Sequence, residues 1–204
     1  MPQMHRVATI ILAAGLSRRM GAHNKLLLPV NGLPMVRHVV QQYRAALDGP
    51  IIVVTGWDAC AVKQALLGLG AQCVFNPSYE QGQQSSVAFG LSNCPPADVV
   101  LIGLGDQPLL RSADITALLE AHVSGHPAKI SIPTSDGKRG NPIAVPHVVR
   151  PQLTMDRLRP GCMRFTRDNP DMVQRHSLSA QGFYTDVDTP EAYASLTAIS
   201  ECAS

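Results

Sequence analysis

The first 47 residues contain neither Asp nor Glu, although Arg6, Arg18, Arg19, Lys25, Arg37 and Arg44 all fall among them. A one-signed stretch of that kind points to an anionic ligand near the N-terminal third. The whole chain carries a net charge of only +2, which speaks against a nucleic-acid or membrane surface. The five cysteines (Cys60, Cys73, Cys94, Cys162, Cys202) are odd in number and contain no Cys-x-x-Cys pair. That excludes a disulfide framework and a zinc site and suits a reducing compartment. Long hydrophobic runs are also missing: Val7 to Leu16 is too short to span a bilayer, and it lacks a cleavage site for a signal peptide. A cytoplasmic protein is the expectation. The histidines His5, His23, His38, His122, His126, His147 and His176 are scattered without metal-ligand spacing, and no repeat or low-complexity segment occurs.

With 45% apolar and 16% charged residues over 204 positions, the chain can bury a core, and one domain spanning 1–204 is expected. Short β-branched runs alternate with helical patterns. Val7–Leu12, PIIVVTG, QCVFNP and DVVLIGLGD read as buried strands, and AKISIP and PIAV as shorter ones. Met35 to Leu47 has helical spacing, with Pro34 in its first turn. Asp58 is placed to cap a helix ending at Gly70, and Ser112 to cap ADITALLEAHV. SSVAFGLS begins another helix, with Ser85 a candidate cap, and Thr189-Pro190-Glu191 opens a last one. FYTDVD reads as a strand, which puts Asp186 and Asp188 on one face. The alternation predicts an α/β fold built on a doubly wound, mainly parallel sheet.

In such sheets ligands collect beyond the carboxyl ends of strands. Gly15 lies there, followed by Arg18, Arg19 and Lys25: a glycine turn exposing backbone N–H groups, with mobile cations around it, suits a phosphate. The spacing is not that of a P-loop, since five residues separate Gly15 from Gly21 and Ala22 follows, and G-x-G-x-x-G is absent. Asp106 ends the most strand-like run at the same sheet edge, where it can act as a metal ligand.

The stretch LAAGLSRRMG, followed by Lys25 and LLLPVNGLPMV, resembles the signature of the MobA-like nucleotidyltransferases, and within them the molybdenum cofactor cytidylyltransferases of the MocA type. The resemblance continues in order through VVTG, NPSYEQGQQSSV, GDQP, GNPIAV and DVDTPEAY. It implies a Rossmann-like nucleotide-diphospho-sugar transferase (GT-A-like) fold and transfer of CMP from CTP to the phosphate of the molybdenum cofactor, releasing pyrophosphate. Lys25 is then expected at the α-phosphate, Arg19 at the triphosphate, and Arg18, at a variable position of the motif, in solvent. Leu12, Ala13, Ala14, Gly15, Gly82 and Ser86 would line the nucleotide. Asp106 with Asp188 or Asp186 would hold Mg2+. Gln107 stands where many relatives have Met, with little consequence expected for the metal. Arg139, Gly140 and Asn141, together with Arg164 in LRPGCMRFTRD, would meet the acceptor. Guanylyl-transferring relatives tend to carry Leu-Ala-Gly-Gly, so the Ala14 methyl favours cytosine over a purine. The implied partners are CTP, the molybdenum cofactor, and a molybdoenzyme or its maturation chaperone. A GTP- or sugar-phosphate-directed transferase, a glycosyltransferase using Asp186-Val187-Asp188, and a non-catalytic delivery chaperone remain alternatives.

Overall fold

The computed structural model describes residues 6–21, 23–155 and 162–201. His5, Ala22, Cys202 and residues 158–161 of the LRPGCMRFTRD stretch lie outside them. In chain order the elements are β1 (Val7–Ala13), β2 (Pro29–Val30), β3 (Leu33–Pro34), α1 (Met35–Ala46), β4 (Ile51–Thr55), α2 (Ala59–Ala65), β5 (Ala71–Phe75), α3 (Gln83–Asn93), β6 (Val99–Leu104) and α4 (Ser112–Ser124). There follow β7 (Ile130–Ser135), β8 (Lys138–Arg139), β9 (Ile143–Pro146), α5 (Arg150–Met155), α6 (Cys162–Asp168), β10 (Val173–Ser177) and α7 (Pro190–Glu201).

The main sheet runs β10-β7-β9-β6-β1-β4-β5, with β8 paired to β7. β5, β4, β1 and β6 are parallel, as are β10 and β7, while β9 is antiparallel to both β6 and β7. The expected mainly parallel α/β sheet is therefore present. Its strands read as continuous apolar runs because both faces are covered. Ala8, Ile10 and Leu12 of β1 pack with Val87 and Leu91 of α3. Ile11 and Ala13 face the other way, toward Val36, Val39, Val40 and Tyr43 of α1 and Ile115 and Leu118 of α4. Each fully buried aliphatic side chain contributes roughly 1.5–3 kcal/mol of gross transfer free energy. Such terms on both faces hold β1 at the centre.

The chain leaves β1 for β4 and β5 on one side, then returns through α3 to β6 on the other. The order thus reverses beside β1, and a crevice opens beyond the carboxyl ends of β1 and β6. Gly105 extends that register by donating its N–H to Leu12 O at 2.9 Å.

Several local expectations change. FYTDVD forms no strand: Gln181–Phe183 is a 3-10 turn, and residues 185–188 are irregular. The segment lies across the end of β6, where no strand edge is free. Its Val187 N–H bonds the Asp106 carbonyl at 2.9 Å, and the Val187 side chain is buried. α2 stops at Ala65 because the following residues tighten into i→i−3 turns that Gly68, at φ 83°, cannot continue as helix. Asp58 sits before α2 in a left-handed conformation without a side-chain cap bond. Ser112 is inside α4, where the Asp114 carboxylate accepts from the Arg111 N–H at 2.9 Å. Pro34 precedes α1 rather than sitting in its first turn. β10, the β2–β3 hairpin and the α5–α6 pair were not foreseen. At α7 the expectation holds, since Thr189 Oγ1 accepts from the Ala192 N–H at 3.2 Å and Pro190 begins the helix. No helix among the described residues is long and apolar enough to cross a membrane.

Tyr43 is fully buried, and its hydroxyl has no hydrogen-bond partner among the described residues. It lies over Gly103, where an added Cβ would stand 1.9 Å from the hydroxyl oxygen. A buried hydroxyl without a partner costs about 1–3 kcal/mol. Tyr43→Phe is therefore expected to raise stability by about 1 kcal/mol, read as a thermal midpoint some 2–4 °C higher; an unchanged or lower midpoint would contradict this.

Candidate active site

Three distant pieces of chain meet in the crevice. The first is the loop after β1. Ser17 adopts φ 48°, and its Oγ accepts from the Lys25 N–H at 3.3 Å. Asn24 Oδ1 accepts from the Leu26 N–H at 3.1 Å, capping the 3-10 turn Lys25–Leu27. Met20 and Leu26 are buried and anchor the loop from inside. Lys25 is buried too, 8% exposed, so its stem packs in the wall and only its head reaches the crevice. The second piece is Asp106, two residues beyond β6. The third is the Asp186–Asp188 segment, tethered by the Val187 bond already described.

Lys25 Nζ donates to Asp106 Oδ2 and, at 2.5 Å, to Asp188 Oδ1. Arg19 Nη2 donates to the other oxygen of Asp188 at 2.7 Å. Burial alone would lower the Lys25 pKa, but Asp106 and Asp188 outweigh it and hold it above its ordinary value. Burial raises the Asp106 carboxyl against the pull of Lys25, and the nearby charges of Asp186 and Asp188 push the same way. Asp188 is also partly desolvated, yet Lys25 and Arg19 together hold it below the usual carboxylate range.

Carboxylate oxygens of Asp106, Asp186 and Asp188 all lie within 4.8 Å of one another. Asp106 Oδ1 is buried and bonded to nothing among the described residues. Three convergent oxygen donors, one of them unsatisfied, fit a hard divalent cation such as Mg2+ or Mn2+. Asp186 and Asp188 alternate around the buried Val187, so the expected shared face is realised without a strand.

Around this cluster lies a cleft of about 330 Å³, lined by Leu12, Ala13, Ala14, Gly15, Arg19, Lys25, Gly82, Ser86, Asp106, Asp186 and Asp188. Every residue expected at the nucleotide or metal is among them. No atom of the described residues lies within 4 Å of where a Cβ on Gly15 would stand, so the cleft has room for a close approach at that backbone. Gly82, at φ 98°, joins a 3-10 turn to α3 in a conformation that L side chains rarely adopt. Arg18 lines a smaller hollow beside the cleft with Ser17 and Arg19. Tyr79, Glu80 and Gln83 also line the cleft; Glu80 and Gln83 belong to the EQGQQSSV segment that the resemblance puts at the base, whereas Tyr79 was missed. The position of Tyr79 inside NPSYEQGQQSSV, three residues before Gly82, was the available signal. Ser85 caps nothing: it lies within α3, and its hydroxyl donates back to Ser78 O at 2.8 Å and Gly82 O at 2.9 Å.

A second cavity of about 680 Å³ adjoins the first, and Leu12, Gly82, Gln83, Leu104 and Asp186 line both. Its further wall holds Val87, Ile102, Ile143, Cys162 and Met163, with Gln81, Gln84, Arg139 and Asn141 as polar members. Arg139 reaches Thr166 Oγ1 at 2.6 Å and so ties β8 to α6. Burial pushes the Cys162 thiol up to about 12, which keeps it neutral. Two expected acceptor residues are not brought to this wall. Gly140 serves packing, since a Cβ there would stand 2.8 Å from Phe183 O and from the Tyr184 ring. Arg164 pairs with Asp168 one turn along the exposed side of α6, at 3.1 Å, leaving the neighbouring Met163 to reach the cavity. Gln107 is buried and donates to Phe183 O at 3.1 Å, so it braces the loop rather than the metal cluster.

A family model of the MobA-like NTP transferase domain matches residues 9–174. The chain belongs to the MobA-like NTP transferases. Among its relatives is the nicotine blue oxidoreductase of Paenarthrobacter nicotinovorans, 27% identical over 91% of this chain and 93% of that one. Another is the 2-C-methyl-D-erythritol 4-phosphate cytidylyltransferase of Streptomyces avermitilis, 32% identical over 86% of this chain and 75% of that one. The chain also matches bifunctional GlmU proteins but spans only 27% of the one from Pelobacter propionicus. Among solved structures, the fold is that of a nucleotidyl transferase from Methanothermobacter thermautotroptrophicus (TM-score 0.82, 21% identity, 98% and 99% coverage). It is also that of Rv0371C from Mycobacterium tuberculosis H37Rv, solved in complex with manganese (TM-score 0.72, 22% identity, 94% and 97% coverage). The two curated relatives set out above carry different activities in their names, so membership of the MobA-like family fixes the architecture more tightly than the reaction.

Removing the Lys25 charge deprives Asp106 and Asp188 of their shared cation beside the third carboxylate, Asp186. Lys25→Met is expected to cost about 3 kcal/mol at pH 7, as breaking a buried pair does. The sign follows from Asp106, whose folded pKa is already raised. With the ammonium gone it rises further, so the deficit is largest above the carboxylate range and shrinks as acid protonates the cluster. Urea unfolding of both proteins at pH 7 and pH 5 checks this; a deficit that grows on acidification would overturn it.

Proposed function

We propose that the protein is a magnesium-dependent cytidylyltransferase that transfers CMP from CTP to the phosphate of the molybdenum cofactor and releases pyrophosphate in the cytoplasm. The observation that carries the reading is the convergence of Lys25, Asp106, Asp186 and Asp188 in a cleft that opens into a second cavity, with Asp186 on the boundary between them. A reaction joining two substrates needs two adjoining pockets with the reacting groups at the seam.

An acceptor phosphate oxygen attacks the α-phosphorus of CTP. The new P–O bond forms as the bond from the α-phosphorus to the α,β-bridging oxygen breaks, and pyrophosphate leaves with the bonding electrons. Charge spreads over the phosphoryl oxygens, so positioning and electrostatic stabilisation supply most of the acceleration. Lys25 is the cation for the α-phosphate, and Arg19 reaches the outer phosphates from the same loop. Asp106, with Asp188 and Asp186, would hold Mg2+, which when bound neutralises the triphosphate. Ala13, Ala14, Gly15, Gly82 and Ser86 enclose the ribose and base.

CTP is supported by the Leu-Ala-Ala-Gly loop, whose Ala14 methyl narrows the base site, and by the cytidylyltransferase in the name of one relative. The molybdenum cofactor is supported by the ordered motif resemblance. The second cavity fits it as well, because an apolar wall suits a flat ring system and Arg139 suits an anionic group.

The deciding measurement is pyrophosphate release with each of the four NTPs, Mg2+ and the molybdenum cofactor. Turnover is expected with CTP, dependent on both metal and acceptor. Lys25→Ala and Asp106→Ala are each expected to lower kcat at least about 10²–10³-fold. Arg139→Ala is expected to raise KM for the acceptor about tenfold while leaving KM for CTP in place. Preference for GTP or a sugar phosphate, or CTP binding without pyrophosphate release, would overturn the proposal in favour of another transferase or a delivery chaperone.

A further inference from the structure

The wall of the cleft contains a hydroxyl whose hydrogen-bonding sense is biased from behind. Asn76 is 1% exposed, and its backbone N–H is held by Thr55 O at 2.9 Å. Its side-chain Oδ1 accepts from the Ser78 N–H at 3.0 Å. A backbone N–H can only donate, so this contact settles which end of the amide is oxygen. The NH2 group therefore faces the other way, with one hydrogen for Ser85 Oγ at 3.0 Å and one for Ser86 Oγ at 3.1 Å. Ser85 accepts from Asn76 and spends its own hydrogen on the Ser78 and Gly82 carbonyls.

Ser86 differs from its neighbour. It is 3% exposed and lines the cleft, it accepts from Asn76, and its own hydrogen has no acceptor among the described residues. The hydroxyl can therefore offer the cleft a donor, while accepting there from a base N–H through its second lone pair would leave its own buried hydrogen without a partner among the described residues. We infer that Asn76 is a positioning residue that fixes Ser86 as a donor toward the nucleobase, favouring a base whose pairing-edge ring nitrogen carries no hydrogen. This rests on the cleft being the nucleotide site. Cytosine N3 and adenine N1 are such acceptors, whereas uracil N3 and guanine N1 carry hydrogen. With the Ala14 methyl against purines, the device separates cytosine from uracil, two rings of the same size that shape alone cannot tell apart.

Replacing the amide by a carboxylate reverses the sense. In Asn76→Asp one oxygen still accepts from Ser78, but the other can only accept. The Ser86 hydrogen then turns toward it and a lone pair faces the base. Calorimetric titration with CTP, UTP and inorganic tripolyphosphate, each with Mg2+, reads this as binding. The wild type is expected to bind CTP about tenfold more tightly than UTP, the value of one matched hydrogen bond. Ser86→Ala brings the ratio near one, and Asn76→Asp inverts it. Asn76→Ala, which frees the hydroxyl to rotate, lowers the ratio without inversion and serves if the aspartate variant does not fold. Tripolyphosphate affinity stays constant throughout. A wild-type ratio near one, an unchanged ratio in the variants, or equal losses for all three ligands would overturn the inference. Because the titration reads binding alone, a protein that discriminates in this way but releases no pyrophosphate would refute the transferase reading and leave this inference standing.

Discussion

The ammonium of Lys25 lies between the carboxylates of Asp106 and Asp188, and most of the site is organised around that placement. It joins the loop after β1, the end of β6 and a segment more than 160 positions later in the chain. Charges brought this close in a partly dry crevice are costly unless they compensate one another. Asp106 shows the strain of the arrangement: burial lifts its carboxyl while Lys25 pulls it down, and one of its oxygens has no partner among the described residues. A cluster of carboxylates braced by one lysine suits a place that exchanges a protein cation for a metal-bound polyanion.

The sheet makes such a meeting possible. β1 is buried on both faces and flanked by β4 and β6, so the loop after it and the acid beyond β6 emerge side by side. The C-terminal segment is then fixed from several directions. Val187 bonds to the Asp106 carbonyl, Phe183 O accepts from Asn141 and Gln107, and Tyr193 Oη reaches Pro29 O at 2.7 Å. The same fastening brings Asp186 to the boundary of two cavities. Arg139, bonded to Thr166, then holds α6 as the far wall of the second.

Much of the first cleft was legible because its residues lie close together in sequence around elements with a strong apolar signal. Leu12 to Gly15 end a buried strand, Arg19 and Lys25 follow within one loop, and Asp106 ends another buried strand. The second cavity was harder. Arg139 and Asn141 do line it, but Gly140 is confined by Phe183 and Tyr184, and Arg164 turns to Asp168 on its own helix. Met163 carried no polar signal, although its position on α6 brings it to the cavity. FYTDVD failed as a strand for a related reason: period-two spacing records which side chains share a face, not whether a partner strand is there to receive the backbone.

By itself the sequence determined the alternation of strand and helix, the burial of β1, and the residue types a phosphate and a divalent cation require. These follow from local patterning and from chemistry that only a few side chains can perform. Only the tertiary structure decided that Asp186 faces both cavities, that Arg164 stays out of the second, and that Asn76 stands behind Ser86 with its amide turned toward the hydroxyl. Such facts depend on the direction of a side chain relative to elements distant in the chain. That direction is set by packing across the fold and leaves no periodic trace in the order of residues.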